Sequence, residues 1–250
     1  NSSAFRMDPE VPLVVPEVNP QAILKHKGII ANPNCSTIIM VMALKPIYDL
    51  AKIKRVIVST YQAVSGAGKE GIDELDAQVR EHSEGREMTA NILPSASAEK
   101  HYPIAFNLIP QIDVFCDNLY TKEEMKMVNE TKKIMEDYEM RITATTIRVP
   151  VYRSHSESVN IELEKEVDLG AMREALAKFP GVTVQDDPSK QEYPMPLYTS
   201  EKDDVYVGRL RRDESCEKSY NMWVVGDQIR KGAALNTLQI AETMIKNGWI

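Results

Sequence analysis

Residues 29–47, IIANPNCSTIIMVMALKPI, set a single Cys35 between an Asn-Pro-Asn turn and a run of apolar residues. Pro33 biases Asn32 away from helical geometry, so the helix predicted for the apolar run starts at or just after Asn34. Asn34 is then the N-cap, and Cys35 lies in the first turn. Unpaired backbone N–H groups and the helix dipole favour an anion there and lower a thiol's pKa, which would prime Cys35 as a nucleophile. The alternative reading makes Cys35 a small buried hydrophobe. The spacing carries the helix to about Leu44, with Pro46 disturbing its end.

Outward from this helix, strands and helices follow in mixed order. On its N-terminal side, MDPEVPLVVPEVNPQ (7–21) reads as a loop, a short buried strand at Leu13 to Val15 and a second loop, and GIIANPN adds another short apolar piece. On its C-terminal side, IKRVIVSTYQAV (53–64) is a strand broken by SGAGKEG, and residues 72–85 form a helix with Ile72, Leu75 and Val79 on one face. Residues 86–111 hold three prolines and little periodicity, predicting a long, partly ordered loop of the kind that serves function or an interface. Residues 121–138 form the clearest helix, with a Thr121/Glu124 capping box and Met125, Val128, Met135 and Tyr138 along one face. Residues 141–164 are strand-like, with Val159, Ile161 and Leu163 alternating. Asp168 caps a helix striped by Leu169, Met172, Leu176 and Phe179. After a polar, proline-rich connection (186–204), NMWVV is a strand, and residues 229–248 a helix with Ala234, Leu238, Ala241 and Ile245 inward and Gly248 at its end. The pattern predicts an α/β or α+β chain, one large sheet covered by helices.

The composition bounds the function. A net charge of −7 over 250 residues argues against a surface built on phosphate contacts to nucleic acid. No apolar run approaches the roughly 20 residues that span a bilayer, and NSSAFRMDPE lacks the basic start and apolar core of a secretory signal. Three widely separated cysteines fit a reducing, cytoplasmic compartment better than a disulfide framework. The four histidines show no metal-ligand spacing, so no structural metal is expected.

Individual polar segments carry chemistry only weakly. GAGKEG (66–71) matches a dinucleotide-binding glycine pattern after a strand, but no convincing second strand follows it; a turn letting backbone approach a ligand is the better reading. Arg148 and His155 lie seven apart, an odd separation that points them to opposite faces of a regular strand. To serve one pocket, the chain must bend near Pro150 or Arg153-Ser154, and His155 could then titrate as a general base. Glu123 and Lys126 share a helix face, and with Glu124 committed to the capping box Glu123 is the freer carboxylate. Arg6 sits in a polar loop.

Taken together, NSSAFRMDPEVPLVVPEVN (1–19), NPNCST (32–37), YQAVSGAG (61–68), RVPVYRSHSES (148–158) and RKGAALN (230–236) resemble, in order, the signature segments of aspartate-semialdehyde dehydrogenase. The resemblance implies a mixed sheet flanked by helices, with a dimer contact through the sheet domain, and a partial Rossmann-type nucleotide-binding domain. Residues 1–34 would be the remnant of that domain, 35–225 the catalytic and dimerisation domain, and 226–250 a C-terminal helix returning to the nucleotide-binding part. It implies NADPH-dependent reductive dephosphorylation of L-aspartyl 4-phosphate to L-aspartate 4-semialdehyde, in lysine, threonine and methionine biosynthesis, by a homodimer. Cys35 matches the thioester-forming nucleophile, His155 the acid/base histidine and Gln62 a glutamine orienting the thioester. Arg148 matches the arginine that grips the substrate carboxylate, Glu123 the carboxylate receiving its amino group, and Arg6 and Lys126 the phosphate ligands. Ser65, Gly66 and Gln228 match residues facing NADP. The family's glycine-rich strand–turn–helix for the NADP phosphates has no counterpart in these 250 residues, so weak NADP binding and turnover are expected of them. A non-catalytic fragment or subunit keeping the dimer surface, or a sibling acyl-phosphate reductase, are the rival readings.

Overall fold

The computed structural model describes residues 3–250. Helix α1 spans Cys35–Leu50, longer than predicted because it passes through Pro46. Pro46 and Ile47 are buried, and the apolar contact there offsets the one backbone hydrogen bond that proline cannot donate. Asn34 is the N-cap as predicted, in extended backbone, its side chain accepting from the Thr37 N–H at 3.2 Å.

Around α1 stands a six-stranded mixed sheet ordered β2-β1-β3-β6-β5-β4. Its strands are β1 (Ile53–Gln62), β2 (Arg141–Arg148), β3 (His155–Leu163), β4 (Val182–Val184), β5 (Val205–Arg212) and β6 (Ser219–Gly226). β1 runs parallel to β2 and antiparallel to β3, with Gln62 opposite Arg148 and Tyr61 opposite Ser156. β4 and β5 lie beyond the predicted strands; in β5 the arginines at 209, 211 and 212 and an irregularity between Gly208 and Arg211 mask the inward Val205, Val207 and Leu210.

Helices α2 (Lys69–Ser83), α3 (Lys122–Ile134), α4 (Leu169–Lys178), the one-turn α5 (Pro196–Thr199) and α6 (Leu235–Lys246) complete the fold. The sheet packs Val56, Val58, Ala144, Val159, Ile161, Met222 and Val224 against α1, whose residues from Ser36 to Leu44 are all buried. The opposite sheet face keeps Ile57, Tyr61, Ile147 and Trp223 half-exposed. α4 follows prediction, capped by Asp168 and burying Met172 and Leu176.

Three predicted helix faces turn out differently. On α2 the inward residues are Glu74, Leu75 and Gln78, while Val79 is exposed. Glu74 accepts the N–H groups of Asn91 (2.6 Å), Ile92 (2.8 Å) and Leu93 (3.3 Å). Gln78 accepts those of Ile104 (2.8 Å) and Ala105 (2.9 Å). Two buried polar side chains thus order the long loop, whose backbone has no ladder to satisfy it. On α3 the inward face is Glu123, Met127, Glu130, Thr131 and Ile134, and Tyr138 lies exposed past the helix end. On α6, Asn236, Ile240 and Met244 face inward, whereas Leu238 and Ile245 are exposed. Asn236 donates to Val14 O (3.0 Å) and Asn32 Oδ1 (2.7 Å), which fixes the helix rotation against its apolar stripe.

Residues 3–34 form short 3-10 turns and a single parallel bridge, Leu13 to Ala31, at the short strand predicted for Leu13 to Val15. Val14, Ala22 and Ile23 pack on Ile240 and Met244 of α6, while Leu13, Val15 and Ala31 join the main core. Among the described residues no helix is long and apolar enough to cross a membrane.

Candidate active site

The C-terminal ends of β1 and β2 and the start of β3 meet at one edge of the sheet, and their inward residues there are polar: Gln62, Arg148 and His155. The bend expected between Arg148 and His155 is present. β2 ends at Arg148, and the chain turns through Ser154 at φ 77 before β3 begins at His155, on the far side of β1. The reversal puts both side chains on the α1 side of the sheet.

Cys35 is the first residue of α1 and half-buried. Its thiol is pushed up to about 12, first by burial and then by the Glu123 carboxylate. The Ser36 N–H and Arg148 act in the opposite direction and are outweighed. The expected lowering by the helix mouth is therefore overturned: desolvation of a thiolate costs more here than one N–H and a nearby guanidinium return.

Glu123 organises the pocket. It accepts from Asn34 Nδ2 (2.9 Å), Gln62 Nε2 (3.2 Å) and Lys126 Nζ (3.2 Å). Lys126 also pairs with Asp113 at 2.9 Å, and these two carboxylates hold its pKa up against burial. Arg148 donates to Ala63 O at 2.7 Å, its Nε has no partner, and no carboxylate lies within ion-pair distance among the described residues. Burial lowers its pKa, Glu123 and Cys35 opposing. A buried guanidinium with an unused donor is suited to a carboxylate ligand.

His155 is fully buried, and burial followed by Arg148 keeps its ring well below the ordinary imidazole range. The Ala63 N–H donates to Nδ1 at 3.1 Å, so the neutral ring carries its proton on Nε2, which has no partner. In this arrangement His155 offers a proton and has no free lone pair with which to take one.

Gly66, exposed in the turn after β1, runs against both groups. A Cβ there would meet Arg148 Nη1 at 2.6 Å and the His155 ring at 3.3–3.4 Å. The backbone here comes close to two side chains of the protein itself, in a space that a side chain would fill. Ser65 is buried, its hydroxyl accepting from Gln228 Nε2, while Gln228 Oε1 accepts the Ser154 N–H at 2.8 Å. Both ends of the Gln228 amide are thus engaged inside the protein, where it braces the turn. A cleft of about 260 Å³ opens between this turn, Ile92–Ala96 of the long loop, Asp113 and the side chains of Glu123, Lys126 and Arg148.

Arg6 stands on the other side of Lys126. It donates to Asn32 O (2.9 Å) and to Glu130 (3.3 Å), beside a second cavity of about 220 Å³ shared with Lys122, Lys126 and Asn129. Sequence reasoning missed Asn34 as a partner of Glu123, and it missed Glu74, Asp113 and Glu130. The seven-residue spacing of Glu123 and Glu130, two turns on one face, was the available signal for the last.

Fold and site together set a thiol, a buried imidazole and a buried guanidinium at one end of the sheet, and comparison with known proteins supplies the family. The family described as semialdehyde dehydrogenase, dimerisation domain, matches residues 44–231. The aspartate-semialdehyde dehydrogenase of Aquifex aeolicus (strain VF5) is 56% identical over 252 residues, taking in 100% of this chain and 72% of that protein. The crystal structure of aspartate semialdehyde dehydrogenase II from Vibrio cholerae superposes with a TM-score of 0.92 at 47% identity, covering 98% of this chain and 71% of that one. The same enzyme complexed with ASA gives a TM-score of 0.92 at 46% identity and the same coverage. The chain belongs to the aspartate-semialdehyde dehydrogenase family, a family of oxidoreductases.

Proposed function

We propose that this chain carries the catalytic centre of an NADP-dependent enzyme that converts L-aspartyl 4-phosphate to L-aspartate 4-semialdehyde through a thioester on Cys35, in lysine, threonine and methionine biosynthesis. The observation that carries the reading is the meeting of Cys35, Gln62, Glu123, Arg148 and His155 at one sheet edge. The substrate carboxylate pairs with Arg148, whose Nε is free to donate. The substrate ammonium pairs with Glu123, the carboxylate that stands second to burial among the causes of the raised thiol pKa. Arg6 and Lys126 take the phosphoryl oxygens.

Cys35 Sγ then bonds to the acyl carbon, the carbon–oxygen bond to phosphate breaks, and phosphate leaves with the electron pair and the thiol proton. NADPH, when bound against the Ser65–Gly66 turn, supplies the hydride. Gln62 holds the acyl group, and the His155 Nε2–H donates a hydrogen bond to the oxygen that becomes negative as the thioester is reduced, without losing its proton. Collapse of that oxyanion breaks the C–S bond, releases the aldehyde and leaves the Cys35 thiolate, which takes a proton from solvent to return the thiol. The half-exposed sheet face of Ile57, Tyr61, Ile147 and Trp223 is our choice for the homodimer contact, in keeping with the family's dimerisation domain. We keep the division at 34/35 and 225/226 as a functional one, with 1–34 and 226–250 serving the nucleotide side.

The test is acyl-enzyme formation, read as a mass increase on incubation with L-aspartyl 4-phosphate. The adduct should map to Cys35 and vanish in Cys35→Ser, with the circular dichroism spectrum unchanged. An adduct that survives in Cys35→Ser removes the thioester step.

A further inference from the structure

Two carboxylates of α3 hold the cap above the nucleophile. Glu123 takes the Asn34 side chain, and Glu130, 1% exposed, takes the Asn34 backbone N–H with Oε2 at 2.6 Å. The other Glu130 oxygen, Oε1, accepts Arg6 Nη1 at 3.3 Å. One buried carboxylate is therefore shared between the entry to α1 and the guanidinium of the second cavity.

We propose that Glu130 is a positioning residue of the anion subsite: it holds Arg6 in a charged pair, an incoming phosphoryl group must displace it, and its protonation releases Arg6 for that group. The proposal rests on the reading of Arg6 as a phosphate ligand and adds the residue that controls it.

The charged groups facing Glu130 are few. Arg6 comes from the N-terminal segment, with Asp8 further along it near Lys133; Glu123 and Lys133 lie on its own helix. α1 presents only the uncharged Asn34 N–H. Lys122 and Lys126 line the same cavity, and no histidine does. Burial raises Glu130 to about 7 although Arg6 and the Asn34 N–H oppose it, so the carboxyl changes charge near neutrality. A protonated carboxyl can still accept from Asn34 with one oxygen, but it has no charge with which to keep Arg6. Between pH 6 and pH 8 the fraction of chains with Arg6 released falls about tenfold, and anion affinity falls with it.

Sulfate, whose charge is constant over this range, is the probe, titrated calorimetrically into the full chain at fixed ionic strength. In the natural chain its dissociation constant should be about tenfold lower at pH 6 than at pH 8. Glu130→Gln keeps an acceptor for Asn34 and no charge for Arg6, so sulfate should bind tightly at both pH values, within twofold. Arg6→Ala should abolish the site. Equal affinity at the two pH values in the natural chain, or an unchanged pH dependence in Glu130→Gln, overturns the proposal. Should Glu130→Gln fail to fold, the natural chain against Arg6→Ala still decides it. Absent sulfate binding would count against both Arg6 and Glu130, whereas pH-independent binding at Arg6 would leave the phosphate reading intact and remove Glu130 alone.

Discussion

Gly66→Ala adds one methyl carbon to an exposed turn, where such a change is ordinarily harmless. Here the new atom would lie 2.6 Å from Arg148 Nη1 and 3.3 Å from the His155 ring. The first distance is about 0.9 Å inside an ordinary contact of roughly 3.5 Å. Arg148 cannot swing clear cheaply: it is buried, and the same Nη1 donates to Ala63 O at 2.7 Å. Relief therefore means lengthening that charge-assisted bond and turning the guanidinium away from the position proposed for the substrate carboxylate. A hydrogen bond to a charged group is worth about 1.5–3 kcal/mol, equivalent to roughly 10- to 150-fold in affinity. The assay is protection of Cys35 from iodoacetamide at pH 9 by aspartate semialdehyde, followed by mass spectrometry. The half-protecting concentration should rise by that factor, and the thermal midpoint should fall by a few degrees, because the Arg148–Ala63 bond that lengthens is buried. Protection by Gly66→Ala at the natural concentration would refute both the crowding and the placement of the carboxylate.

Three further outcomes follow from the same geometry. Glu123→Gln should lower the Cys35 thiol from about 12, because burial then acts without a neighbouring negative charge; the pH dependence of alkylation reads it, and an unchanged or higher midpoint contradicts the assigned cause. Glu130 is held near 7 in the fold but ionises in the ordinary carboxylate range when unfolded, so the folded chain binds the extra proton between those values and stability falls as pH rises. The contribution is about 3 kcal/mol, and Glu130→Gln should gain that much relative to the natural chain between pH 4.5 and 8 in urea unfolding; parallel curves would remove the shift. Glu74→Ala strands three backbone N–H groups, so amide exchange and proteolysis should accelerate in residues 86–111, at a cost of about 1–3 kcal/mol to local order. Unchanged protection there would show that the loop is held by something else.

What the sequence determined by itself was local. Pro33, Asn34 and the apolar run after Cys35 state a capped helix with the thiol in its first turn, because capping is a matter of a few adjacent residues. The same holds for the Thr121/Glu124 box and the alternation of Val159, Ile161 and Leu163. The signature segments also sufficed to indicate the family, and hence which side chains to watch. Tertiary structure decided which helix faces point inward. α6 buries Asn236 and leaves Leu238 in solvent, because a hydrogen bond to Val14 O and the Ile240–Met244 contact outweigh the stripe read from periodicity. It also decided charge state. Burial beside Glu123 raises the Cys35 thiol that a helix mouth alone would lower, and the Ala63 N–H fixes the His155 proton on Nε2. Both effects depend on which groups a side chain meets across the fold, through distances that fall outside any window of sequence. Spacing along the chain can thus locate a thiol and an imidazole, while the desolvation and partners that set their protons exist only once α1, α3 and the sheet edge have closed around them.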